Sequence, residues 1–99
     1  MKGGYLYIVT NEAFPGFVKV GCTEDLDARL RSYQTSDPKR GYKMVFNIPH
    51  PDCLPAEKRI REAMRHFALS QRNEWYEIPL HMAISRLEEE VETCCNGIV

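Results

Sequence analysis

Residues 17–33 constrain this chain more than any other stretch. Phe17, Val18, Lys19 and Val20 form an aromatic and β-branched run that reads as a short strand. Gly21 then reads as a turn, and Thr23 as the N-cap of a helix that carries Arg29 and Tyr33 one turn apart. Just upstream, residues 5–10 (Tyr5, Leu6, Tyr7, Ile8, Val9, Thr10) have strand composition, and a polar cluster ending in Pro15 and Gly16 separates the two runs. The chain must therefore open with a β-hairpin that feeds a helix, which brings a lysine, an arginine and tyrosines close together.

Beyond the hairpin, Leu26, Leu30 and Tyr33 recur at i, i+4 and i+7, while Glu24, Asp25 and Asp27 suit the positive end of a helix dipole. A polar loop with Lys39 and Arg40 at its tip follows, and residues 42–48 alternate as a third strand ended by Pro49. From about Leu54 to Leu69 the pattern turns helical, with Ile60, Met64 and Phe67 as its apolar stripe. Residues 70–74 read as a polar turn and residues 75–78 as a brief extended piece. A last amphipathic helix spans about residues 79–95, with Leu80, Ile84, Leu87 and Val91 on one face. The expectation is an α/β (α+β) fold of order ββαβα with a C-terminal helix, in which a small three-stranded antiparallel sheet is flanked by helices.

Ninety-nine residues fit one domain, 1–99, with its core in residues 4–78. An apolar fraction of 43% argues against disorder, and no apolar run is long enough to cross a bilayer or act as a signal core, which points to the cytosol or nucleus. The net charge of −1 hides a division: residues 1–78 carry twelve Lys/Arg against ten Asp/Glu, whereas residues 79–99 carry Arg86 against four glutamates. The body is weakly basic, which is compatible with a polyanionic partner. Cys22, Cys53, Cys94 and Cys95 lack the paired spacing of a zinc site, so reduced thiols are expected. His50, His66 and His81 form no metal spacing either.

Tyr5, Leu6 and Tyr7, then Val18, Lys19, Val20 and Gly21, then Arg29 and Tyr33 in the following helix and Glu57 in a later one, together resemble the GIY-YIG nuclease superfamily over residues 4–78. The likeness is strongest to a small branch common in phages and other viruses that has a lysine in place of the second-motif tyrosine. Gly21-Cys22-Thr23, Asp27-Ala28-Arg29-Leu30, Glu57-Lys58-Arg59-Ile60 and Asn73-Glu74-Trp75-Tyr76 all resemble that branch. Superfamily members cut phosphodiester bonds with a divalent cation, generally Mg²⁺ or Mn²⁺. The resemblance implies a metal-dependent DNA endonuclease with Tyr7, Lys19, Arg29, Tyr33 and Glu57 as catalytic residues, Glu57 being the metal ligand. Tyr5, Asn73 and Glu74 are additional site candidates, and Trp75 is expected in the core.

The chemistry agrees with those residue types. Hydrolysing a phosphodiester needs an activated water, positive charge on the developing phosphorane and help for the leaving oxygen. A guanidinium such as Arg29 can clamp two phosphate oxygens, and a carboxylate such as Glu57 suits a hard cation. An ordinary lysine is protonated at neutral pH, so Lys19 takes an electrostatic role and leaves activation of the nucleophile to Tyr7 or the metal. Lys39 and Arg40 in the loop, and Lys58, Arg59, Arg61 and Arg65 in the later helix, with Arg72 beyond it, are the expected nucleic-acid contacts.

Each residue also has a plainer reading. Tyr5 and Tyr7 could simply pack on one sheet face, Arg29 could be a solvated helix residue, Tyr33 could complete an apolar stripe, and Glu57 could be a first-turn carboxylate that favours the helix dipole. The competing function is a nucleic-acid-binding or protein-interaction module that keeps the fold without turnover. DNA is the expected partner with RNA still open, and specificity would come from loops, self-association or a partner protein.

Overall fold

The computed structural model describes residues 2–96. Strand β1 (Gly4–Asn11) and strand β2 (Phe17–Thr23) form the expected hairpin, followed by helix α1 (Leu26–Ser36), strand β3 (Tyr42–His50) and helix α2 (Cys53–Phe67). Two short strands, β4 (Ser70–Arg72) and β5 (Trp75–Glu77), precede helix α3 (Leu80–Asn96). The α/β class is as expected, but the sheet has five antiparallel strands in the order β3-β1-β2-β5-β4 instead of three. The expected polar turn is itself a tight hairpin: Arg72 pairs with Trp75, and Asn73 takes a positive φ of 55° in the two-residue connection. Its β5 strand docks on β2 through Phe17 and Val18.

Strand alternation sorts side chains to two faces. Leu6 and Ile8 of β1 and Val18, Val20 and Cys22 of β2 face the core, which Cys53, Ala56, Ile60 and Met64 of α2 and Ala83 and Leu87 of α3 complete. A fully buried Ile8 or Leu87 contributes about 1.5–3 kcal/mol by leaving water. The α2 stripe differs from the expected one. Phe67 is 51% exposed under the Arg86 guanidinium, and the small residues Cys53 and Ala56 let the helix lie close to the sheet. On α3 the buried positions among the described side chains are Ala83 and Leu87, and Leu80 is exposed.

The chain departs from expectation at Gly21, at the N-cap of α1 and at Pro49. Gly21 is no turn: β2 runs straight through it to Thr23, with Tyr7 as its cross-strand partner. The N-cap of α1 is Asp25, whose Oδ1 accepts from the Ala28 amide at 3.0 Å, while Thr23 Oγ1 accepts from the Asp25 amide at 3.1 Å to turn the chain into it. Pro49 is tolerated inside β3 because β3 is an edge strand. None of the α1 residues is buried, so this helix lies on the sheet face opposite the main core as a half-exposed cover.

Candidate active site

The second sheet face carries Tyr7 on β1 with Lys19 and Gly21 on β2. Gly21 matters for what it lacks. A Cβ placed there would fall 2.5 Å from Tyr7 Cζ, so the bare glycine is what lets the Tyr7 ring lie across β2. Tyr7 is 1% exposed, and its hydroxyl meets two residues of α1: the Tyr33 hydroxyl at 2.9 Å and Arg29, whose Nη1 donates to it at 3.1 Å. Arg29 and Tyr33, four residues apart, project from the same side of α1 onto this tyrosine.

Tyr7, Lys19, Arg29, Tyr33 and Glu57 all line one open cleft of about 450 Å³, together with Arg61 and Glu74. Lys19 Nζ pairs with Glu74 at 3.0 Å and lies 5.1 Å from the centre of the Tyr33 ring. Arg61 lies between two carboxylates, 2.7 Å from Glu57 and 3.8 Å from Glu74. The helix-dipole reading of Glu57 falls away, because α2 begins at Cys53 and has no acidic residue in its first turn.

Burial and then the Tyr33 hydroxyl raise the Tyr7 pKa well above the usual phenol range, against the pull of Arg29. Tyr7 is therefore a neutral hydroxyl at physiological pH, one that donates or accepts a hydrogen bond. Glu74 is held below the usual carboxylate range by the Lys19 ammonium and then by Arg61, despite partial burial. Burial opposes the charge on Arg29, but the Tyr7 and Tyr33 hydroxyls outweigh it and raise its pKa.

Other expected site residues lie elsewhere. Tyr5 pairs with Thr23 at the exposed end of β1, outside the cleft. Asn73 is at the tip of the β4–β5 hairpin beside Trp75, also outside the cleft. Trp75 is half-buried and not a core residue: it stacks on Tyr42 at 6.0 Å and meets Phe14 at 5.4 Å. Lys58, Arg61 and Arg65 line a groove on α2 that shares Glu57 and Arg61 with the cleft, whereas Arg59 turns to α3 and its Nε bonds Glu90 at 2.7 Å. Arg40 borders a separate groove along α1, in a loop shaped by Asp37, whose carboxylate accepts from Asn11 and from the Lys39 and Gly41 amides. Ser32 and Tyr42 were not foreseen: Ser32 lines the cleft, and Tyr42 stacks on Tyr33 at 4.9 Å. No local pattern marks either, since both depend on how α1 packs against β3.

A family model described as the T5orf172 domain matches residues 4–99. The chain belongs to the T5orf172 domain family. That family is nuclease-related, which fits an open cleft in which Lys19, Arg29 and Arg61 supply positive charge. No curated protein and no solved structure matches this T5orf172 domain. In this T5orf172 domain no helix among the described residues is long and apolar enough to cross a membrane.

Cys22 and Cys53 are free and buried beneath Glu57, while the side chains of Cys94 and Cys95 lie outside those described. Burial, then the Glu57 carboxylate, pushes the Cys22 thiol up to about 12, and burial also raises Cys53. Both stay protonated at neutral pH, and the thiol is the unreactive form. Iodoacetamide at pH 7.5 is expected to leave both unmodified in the folded protein and to label both after unfolding, as read by peptide mass spectrometry.

Proposed function

We propose that this protein is a GIY-YIG-like endonuclease that hydrolyses phosphodiester bonds in DNA with a divalent cation, Mg²⁺ or Mn²⁺. The observation that carries the reading is the convergence of Tyr7, Lys19, Arg29, Tyr33 and Glu57, from two strands and two helices, on one open cleft. Lys19, in place of the second-motif tyrosine, is the feature that supports reading the chain as one of the phage and viral branch of that superfamily.

Oxygen from a single carboxylate suits a hard cation that keeps most of its water shell. Among the described residues no cluster of three or more His, Cys, Asp or Glu exists, so Glu57 would hold the cation, with Glu74 the next carboxylate across Arg61 and waters completing its shell. A bound Mg²⁺ or Mn²⁺ would supply Lewis acidity at the phosphate and lower the pKa of water. The chain's own groups do the rest. Arg29 binds the non-bridging phosphate oxygens and stabilises their growing charge. Lys19, between a carboxylate and two ring faces, contributes a fixed positive charge to the same end. Tyr7 holds Arg29 in place and, being neutral, offers its proton as a hydrogen bond instead of acting as a base. Tyr33 sets the orientation of Tyr7. Lys58 and Arg65, in the groove along α2 that also holds Glu62, supply cations for backbone contacts, while Arg61 is engaged by Glu57 and Glu74.

The test is nicking of supercoiled plasmid by the purified protein. Cutting is expected with Mg²⁺ or Mn²⁺, to stop on chelation and return with excess cation, and to be lost in Glu57→Gln. The ion pair between Arg61 and Glu57 supports one rival, a nucleic-acid-binding module in which that carboxylate stays committed to Arg61. Salt-dependent DNA binding without any cation-dependent cutting would establish the rival and overturn the endonuclease.

A further inference from the structure

Phe14, Phe17, Arg72, Asn73 and Trp75 line a second pocket, about 370 Å³, between the β1–β2 turn and the tip of the β4–β5 hairpin. It shares no residue with the cleft, yet it is joined to it by a row of aromatic rings. Phe14 meets Trp75 at 5.4 Å, Trp75 stacks on Tyr42 at 6.0 Å, Tyr42 on Tyr33 at 4.9 Å, and Tyr33 meets Tyr7 edge-on at 6.2 Å. Lys19 Nζ, in the cleft, lies 5.9 Å from the Trp75 ring, and Glu74, next to Trp75 in the chain, lines the cleft.

The pocket's chemistry is selective. Its rings offer flat apolar surface, with Phe14 46% exposed on it. Arg72 adds a guanidinium that can stack on a heterocycle or meet a phosphate, Asn73 adds an amide with a donor and an acceptor, and among the described residues no carboxylate lines the wall. Flat rings, a cation and one hydrogen-bonding amide together match a nucleobase, whose π-face stacks on aromatics and whose edge pairs with amides. A base inside a duplex has its faces covered by its neighbours, so the form that can enter is an unpaired one.

We propose that this pocket is a nucleobase subsite, which takes an unpaired base from the strand whose phosphate lies in the cleft. It rests on the phosphodiesterase reading of the cleft and adds a substrate class to it: single-stranded or locally opened nucleic acid.

Trp75 is the only tryptophan in the chain, so its emission reports directly on the pocket. The protein is titrated, with a chelator present to prevent turnover, with a single-stranded oligonucleotide and with a strand of equal length that carries abasic sites. The expected results are quenching of Trp75 emission by the base-containing strand alone, and about tenfold tighter binding of that strand, the size of one lost base–aromatic stack. Phe14→Ala is expected to abolish this preference and bind both strands with the affinity wild type has for the abasic one. A circular dichroism spectrum unchanged from wild type would show that the variant is folded, and Arg72→Gln, on the other wall, is expected to narrow the preference independently. Equal affinity for the two strands with unchanged emission would overturn the subsite, as would a preference that survives in Phe14→Ala. Cation-dependent plasmid nicking that persists in that case would leave the endonuclease standing. Absence of any nucleic-acid binding at low salt would overturn both, and is the outcome expected if the pocket instead receives a protein side chain.

Discussion

Arg29→Ala is expected to slow cation-dependent plasmid nicking by about 10²–10³-fold, the usual result of removing one preorganised charge-stabilising donor. The guanidinium is exposed to the cleft and is anchored by the Tyr7 hydroxyl at 3.1 Å, so its loss removes positive charge where the phosphorane would form. The fold should not suffer. None of the α1 residues is buried, and alanine is the best helix former, so the melting temperature should stay close to that of wild type. Tyr7 cannot compensate: Arg29 is the neighbour that lowers its pKa, and without it the phenol becomes harder still to ionise. Arg29→Lys should recover only part of the rate, because an ammonium keeps the charge and loses the fork that engages two oxygens. Single-turnover rates at saturating Mg²⁺ or Mn²⁺ measure all three. Equal cutting by wild type and Arg29→Ala, with cutting lost in Glu57→Gln, would remove Arg29 from the mechanism, and equal cutting by all three would trace the activity to a contaminant.

How far the sequence disclosed this arrangement depends on the range of the interaction involved. The β1–β2 hairpin, β3 and all three helices were legible because period-2 and period-3.6 patterns are local and run over many residues. The β4–β5 hairpin was missed because three-residue strands carry almost no period, and only pairing with β2 makes them strands. The α2 stripe was misdrawn at Phe67 because hydrophobicity alone favours a large aromatic, whereas close helix–sheet approach selected Cys53 and Ala56. Tyr7, Lys19, Arg29, Tyr33, Glu57 and Glu74, singled out by motif resemblance, line one cleft, and Tyr5 and Asn73 lie outside it. The positive φ of Asn73 gives a conformational reason for its residue type, since asparagine tolerates the left-handed region better than most. Arg61 was read as a backbone contact, and its place between Glu57 and Glu74 could not be inferred without knowing that the β4–β5 hairpin brings Glu74 over to α2.

Gly21→Ala separates local propensity from packing, because the two predict opposite signs. Within a strand, replacing glycine by alanine ordinarily gains about 0.5–1 kcal/mol through reduced backbone entropy of the unfolded chain. At Gly21 the added Cβ would sit 2.5 Å from Tyr7 Cζ and 3.1 Å from Cε1, against a ring that is 1% exposed and tied to Tyr33 and Arg29. Forcing an atom into such a site costs about 1–3 kcal/mol, so packing outweighs propensity. For a domain of this size each kcal/mol lowers the melting temperature by about 4–8 °C. The same displacement moves the Tyr7 hydroxyl off Arg29, and a shift of about 1 Å in a positioning group can cost about 10²-fold in rate. Adding Tyr7→Phe removes the hydroxyl but leaves Cζ in the way, so the double variant should regain little of the lost stability and none of the rate. Gly3→Ala is the control: its Cβ would meet nothing closer than the Pro51 carbonyl oxygen at 3.5 Å, an ordinary contact, and the protein should melt at or slightly above the wild-type temperature. A Gly21→Ala protein that melts no lower than Gly3→Ala would mean that Tyr7 does not lie across β2, and the Tyr7–Arg29–Tyr33 arrangement would fall with it.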